Sequence, residues 1–147
     1  MSEYLQQFIK QHVPNIESHM YSLVKELRGP QVLKESMLYS LEAGGKRIRP
    51  LFVAAVCEMF NQPQNAMYTV GSAIEIIHTY SLMHDDLPCM DDDDMRRGKP
   101  TNHKVFGEAL AVLAGDALNY MAFGLLETMP NVTGEQCLEL DEMLSKY

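Results

Sequence analysis

Apolar residues recur at intervals of three and four along almost the whole chain: Leu5, Phe8 and Ile9, then Met20, Leu23, Val24 and Leu27, then Leu33, Met37, Leu38 and Leu41. That period lays an apolar stripe along one side of an α-helix, whereas a half-buried strand needs strict alternation, and strand signals are nearly absent. The chain is therefore expected to be all-α and to form a single helical domain over residues 1–147. Its 147 residues, 46% of them hydrophobic, suffice for a core without staples. Cys57, Cys89 and Cys137 are odd in number and form no C-x-x-C pair, so neither a disulfide framework nor a zinc knuckle is indicated, and a reducing cytosol is expected. The start of the chain lacks a basic region followed by an apolar stretch. The most apolar runs, residues 51–57 and 117–126, are too short to cross a bilayer, which predicts a cytoplasmic protein with no membrane span.

Punctuation between the apolar stripes sets the helix boundaries. Gly29-Pro30 stops one helix and Gly44-Gly45 the next, and Pro50 suits the first turn of a helix over about residues 50–60. A long helix is expected from about residue 64 to residue 86, where Leu87-Pro88 forces the backbone out of helical geometry. Residues 91–103, with Gly98 and Pro100, read as a polar loop. A second long helix is expected over about residues 107–128, and Thr133 and Gln136 have capping-box spacing before a last amphipathic helix.

Of the net charge of −8, six negatives fall within ten residues, at Asp85, Asp86, Asp91, Asp92, Asp93 and Asp94. A chain with one concentrated carboxylate patch repels nucleic-acid backbones and anionic membranes unless a cation intervenes, so no nucleic-acid partner is expected. The patch lies at the C-terminal end of a long helix, where the dipole is already negative, and so calls for something positive to offset it. Asp85-Asp86-Leu87-Pro88-Cys89-Met90-Asp91 is a D-D-x-x-x-x-D pattern in which carboxylates can converge on a hard divalent cation whose shell is completed by phosphate oxygens and water. An EF-hand fails, because a loop started at Asp92 puts Arg97 where glycine is required. The competing reading is a solvated charged loop, the usual fate of a charge run.

Two further elements carry chemistry. Gly44-Gly45-Lys46-Arg47-Ile48-Arg49-Pro50 places three cations in a turn between helices, where donors can receive a diphosphate, although three bases in a turn are more often a solvated surface feature. His78 precedes Asp85 by seven residues, nearly two helical turns, so both share a face with Ser81 about 10 Å apart along the axis. A lone histidine in an apolar helix is by default a core residue.

Taken together, these segments resemble the all-trans isoprenyl diphosphate synthases, the head-to-tail prenyltransferases that make geranyl, farnesyl and geranylgeranyl diphosphate. The likeness covers residues 44–50, residues 76–86, all of residues 85–103 and Leu113-Ala114-Gly115-Asp116-Ala117-Leu118, in the family's order and spacing. It implies an isoprenoid synthase-type helical bundle. It also implies that Asp85 and Asp91 ligate Mg²⁺ ions holding an allylic diphosphate, with Asp86 in support and Arg96 on the same diphosphate. Lys46, Arg49, His78 and Arg97 correspond to binders of the isopentenyl diphosphate head group, with Arg47 a weaker correspondence; Asp92, Asp93 and Asp94 receive no ligand role.

The implied reaction breaks the allylic C–O bond, adds the double bond of isopentenyl diphosphate to the resulting cation, and loses a proton to the released diphosphate. Ile77 and Leu82 are expected along the cavity for the growing tail. Tyr80, five residues before Asp85, sits where the family sets product length, although an ideal helix turns it about 140° from Asp85. Tyr80 and the two extra residues in the aspartate motif resemble bacterial farnesyl diphosphate synthases, while residues 87–91 and 99–108 also resemble geranylgeranyl diphosphate synthases.

The family's second D-D-x-x-D motif is missing, since only Asp116 and Asp141 follow Asp94 as aspartates. The chain thus resembles the N-terminal half of a family member. It is expected to have little activity by itself and to associate as a homodimer; a non-catalytic helical subunit or remnant that binds metal and diphosphate is the alternative.

Overall fold

The computed structural model describes residues 2–129 and 131–146. Its order is α1 (Glu3–Glu26), α2 (Gln31–Leu41), α3 (Ile48–Met59), α4 (Gln64–Asp85), β1 (Met95–Arg96), β2 (Lys99–Pro100), α5 (Asn102–Phe106), α6 (Glu108–Leu126) and α7 (Gly134–Ser145). The protein is helical as expected, and the glycine and proline stops fall within a few residues of the helix ends they predict. The capping box is complete: Thr133 Oγ1 accepts from the Gln136 N–H at 3.3 Å, and the Gln136 side chain accepts from the Thr133 N–H at 2.9 Å.

Residues 91–103 depart from the expected plain loop. They contain an antiparallel hairpin that pairs Met95 with Pro100 and Arg96 with Lys99, followed by α5. The two-residue turn is Arg97-Gly98, with φ of 52° and 79°, and positive φ at both positions gives the twist that two-residue hairpins need. Strands of two residues and a helix of five are too short to leave a periodic signal.

The chain falls into two compact units. The first comprises Met1–Met20, Arg47–Glu75 and Met121–Tyr147. Its buried set includes Ile16, Met20, Ala54, Met67, Ala73 and Ala122, together with Arg47, which is 1% exposed. The Arg47 guanidinium donates to Glu17 and Glu75, each at 2.9 Å, and the Glu75 side chain is itself 3% exposed. This corrects the picture of three solvated cations in one turn, because the middle one is a core residue neutralised by two glutamates. Gly71 lies against Pro50, and a Cβ there would sit 3.2 Å from Pro50 Cβ.

The second unit comprises Tyr21–Lys46 and Ile76–Tyr120. Val24, Met37, Leu41, Ile76, Met83, Leu87, Ala111, Ala114 and Leu118 are buried in it. Gly115 on α6 packs against His84 on α4 so closely that a Cβ would lie 2.3 Å from His84 Nε2. The imidazole instead donates to the Val112 carbonyl at 3.1 Å and takes the Tyr80 ring edge-on, with centroids 4.8 Å apart.

The apolar stretch placed at residues 117–126 is part of a longer one. Helix α6, 19 residues with mean hydropathy 1.5, is by length and composition long enough to cross a membrane. Counting only the unbroken run stops at Asp116 and misses the turns before it. Ala111, Ala114, Leu118, Ala122 and Leu125 are buried at helical spacing, so the protein's own core accounts for that face. Asp116, more than half exposed at mid-helix, is a residue that bilayer interiors strongly disfavour.

Candidate functional site

Helix α4 ends at Asp85, and the backbone then doubles back. The Met90 N–H donates to the Leu87 carbonyl at 2.8 Å, Asp92 N–H to the same carbonyl at 3.1 Å, and Asp91 N–H to the Asp85 carbonyl at 2.8 Å. Pro88, unable to donate, sits at the outer part of this return. Two aspartates six positions apart are thereby brought beside each other at the negative end of α4, with Asp85 half-buried and Asp91 exposed.

Asp86 has a different environment. It is 3% exposed, and its Oδ1 accepts both from Arg96 Nε at 2.7 Å and from Arg96 Nη2 at 2.6 Å. The hydrogen bond to Asp86 raises the Arg96 pKa above its ordinary value, helped by the nearby charges of Asp93 and Asp85 and opposed by burial. Arg96 also lies 3.4 Å from Asp93. The hairpin thus delivers a permanent positive charge to the acidic end of α4, the compensation that the helix dipole requires.

The second hairpin arginine serves another element. Arg97 donates to the Gly44 carbonyl, and its guanidinium lies where a Cβ on Gly45 would stand, 2.6 Å from Nη1. Gly44 and Gly45 take φ of 81° and 145°, a conformation that disfavours larger residues at both, and the approach of Arg97 excludes them a second time at Gly45. Lys46 follows and is exposed. Tyr39 Oη donates to the Pro100 carbonyl at 2.8 Å, which ties α2 to the hairpin. Beneath that contact Asn102 is almost fully buried: its amide donates to the Ser36 carbonyl at 2.9 Å and to Ser40 Oγ at 2.8 Å, and its carbonyl accepts from Ser36 Oγ at 2.8 Å.

A pocket opens within this unit, lined by Tyr39, Thr79, Leu82, Asp86, Arg96 and Arg97 among others. Leu82, one of the two residues expected along an apolar cavity, is on its wall. His78 is half-buried on α4 and its carbonyl accepts from Ser81 Oγ at 2.9 Å. Tyr80 is engaged with His84. The structure therefore gathers Lys46, His78, Asp85, Asp86, Asp91, Arg96 and Arg97 in one unit. Arg49, exposed on α3, belongs to the other. Sequence reasoning missed Asn102, whose burial no local pattern marks. It also missed a second acidic cluster, Asp92 and Asp94 with His103.

Residues 30–146 match the polyprenyl synthetase family. The chain belongs to that family. Its polyprenyl synthetase relatives include the farnesyl diphosphate synthase of Bacillus subtilis, 51% identical over 99% of this chain and 50% of that protein. The chloroplastic geranylgeranyl pyrophosphate synthase of Catharanthus roseus is 54% identical over 82% of this chain and 34% of that protein. Among solved structures, an FPP/GFPP synthase from Zymomonas mobilis superposes with a TM-score of 0.89 at 44% identity, covering 99% of this chain and 53% of that one. The isoprenoid-synthase fold implied by the resemblance is thus the fold found, and the chain spans about half the length of the Bacillus relative.

Proposed function

We propose that this chain is part of a short-chain prenyltransferase that condenses an allylic diphosphate, dimethylallyl or geranyl, with isopentenyl diphosphate to give farnesyl diphosphate. The observation that carries the reading is the separation of two charge environments in one unit. Asp85 and Asp91 are held together by the Asp91–Asp85 backbone bond, while the Gly44-Gly45 turn is braced by Arg97 and followed by Lys46. Oxygen donors alone, clustered at a helix C-terminus, suit a hard cation such as Mg²⁺. Bound there, Mg²⁺ supplies the charge neutralisation that turns an allylic diphosphate into a leaving group. Arg96, already held on Asp86, is in reach of that same diphosphate, and the metal-free basic turn is suited to hold the second diphosphate without ionising it. In the reaction so read, the allylic C–O bond breaks, the double bond of isopentenyl diphosphate forms the new C–C bond, and the proton leaves with the released diphosphate.

Geranylgeranyl diphosphate is the second product reading, supported by the 54% identity to the plant enzyme. Tyr80, clasped by His84, is the residue we assign to the choice. A homodimer is also proposed, supported by Val112, Leu113 and Tyr120 exposed along α6. The test joins this chain to the second half of the Bacillus subtilis farnesyl diphosphate synthase and sizes the products made from labelled isopentenyl diphosphate, geranyl diphosphate and Mg²⁺. A fifteen-carbon product supports the first reading and a twenty-carbon product the second. A folded chimera that makes neither rejects both.

A further inference from the structure

Asp92, Asp93 and Asp94 follow directly on the Asp85–Asp91 return and have no part in the reaction proposed above. Asp93 is turned to Arg96. The other two converge elsewhere: a carboxylate oxygen of Asp92, one of Asp94 and a ring nitrogen of His103 all lie within 4.8 Å of one another. Asp92 reaches this arrangement with a left-handed φ of 55°.

His103, on α5, is only 6% exposed. Its Nδ1 lies 3.2 Å from Thr101 Oγ1, and that hydroxyl already donates its proton to the Asp93 carbonyl at 2.7 Å. A hydroxyl that donates elsewhere must accept here, so Nδ1 carries the imidazole proton and Nε2 carries the lone pair. Nε2 is buried and has no hydrogen-bond partner among the described residues. A buried acceptor left empty calls for an explanation, and a ligand that takes a lone pair supplies one.

We propose that Asp92, Asp94 and His103 form a site for a divalent ion of the Zn²⁺ class, separate from the Asp85–Asp91 pair. A neutral imidazole whose Nδ1 proton is held by an oxygen, leaving Nε2 to coordinate, is the form in which histidine binds such ions. Two carboxylates complete a set of three protein ligands, and water fills the remaining position. Coordination at about 2.0–2.2 Å places neighbouring donors about 3–3.5 Å apart, so rotation of Asp92 and Asp94, both exposed, closes the observed spread. The imidazole sets the selectivity, because Mg²⁺ favours oxygen donors and water. Lys104 Nζ, 2.6 Å from Asp94 Oδ1, competes for that carboxylate, and the ion takes its other oxygen or displaces the lysine. An ion held here pins residue 92 to α5 and so restrains the loop that begins at Asp91.

The test is a titration of the whole chain with Zn²⁺ by calorimetry and with Co²⁺ by visible absorption, in parallel with NMR of the imidazole nitrogens. One ion is expected to bind with a displaced His103 Nε2 resonance. Affinity is expected to fall at least tenfold in Asp92→Asn and in His103→Gln, to rise in Lys104→Ala and to stay unchanged in Asp85→Asn. Asp92 is exposed, so Asp92→Asn decides the matter should His103→Gln fail to fold. Equal binding by Asp92→Asn and the parent, binding lost only with Asp85→Asn, or no shift at His103 Nε2 would each overturn the proposal.

Discussion

Arg47 and Arg96 are both arginines paired with carboxylates, yet their surroundings have little in common. Arg47 is sealed in the first unit between Glu17 and Glu75, whereas Arg96 lies part-exposed in the second unit on Asp86 and Asp93. A charge pair withdrawn from water is committed to the fold, since neither partner can leave without stranding the other. Arg96, part-exposed on a charged loop, keeps guanidinium protons available to something arriving from solution. On the function proposed, the two regions separate structural charge from working charge.

The largest effect expected from this contrast is Arg47→Met, which takes the arginine away from the buried Glu75 carboxylate. A loss of about 3–5 kcal/mol is expected in chemical denaturation, and a loss under 1 kcal/mol would break the distinction. Asp85→Asn should leave stability nearly unchanged yet weaken Mg²⁺-dependent capture of geranyl diphosphate about a hundredfold, worth about 2.7 kcal/mol by calorimetry. Equal capture by parent and variant would remove Asp85 from the site. Gly115→Ala tests packing rather than charge: its Cβ meets His84, and a cost of about 1–3 kcal/mol is expected, largely recovered in the Gly115→Ala, His84→Ala double variant.

The smallest effect is expected at Asp94, where the hydrogen bond and charge of Lys104 lower the carboxyl pKa at a fully exposed position. Because the folded value is depressed, whatever stability the pair contributes is present above the unfolded aspartate value near 3.9 and is lost as pH falls through the folded one. An NMR titration should show the Asp94 midpoint rising in Lys104→Ala; a fixed midpoint would assign the shift to another cause.

What the sequence disclosed follows the physics of repetition. Helices of ten or more residues announce themselves through their period, Thr133 and Gln136 through a local hydrogen-bond pattern, and Asp85 to Asp91 through a density of charge that nothing bland would concentrate. The Arg97-Gly98 hairpin and α5 escaped because two strand residues and one helical turn repeat nothing. Arg47 was misread because its partners lie 30 and 28 residues away, and a basic residue between lysine and isoleucine looks solvated until those partners are known. Asn102 follows the same rule: it is tied to Ser36 and Ser40, 66 and 62 residues earlier, not to any stripe it belongs to. The division into two units stayed hidden because each is assembled from segments distant along the chain.

The reversed turn at Arg97-Gly98 reaches well beyond its two residues. Gly98 holds its φ of 79° without strain only because it lacks a side chain, and that conformation steers Arg97 onto the carbonyl of a residue 53 positions earlier. A substitution at Gly98 would therefore surface as slackness in the glycine turn ahead of Lys46, and a lesion in one loop would be felt as a grip lost in another.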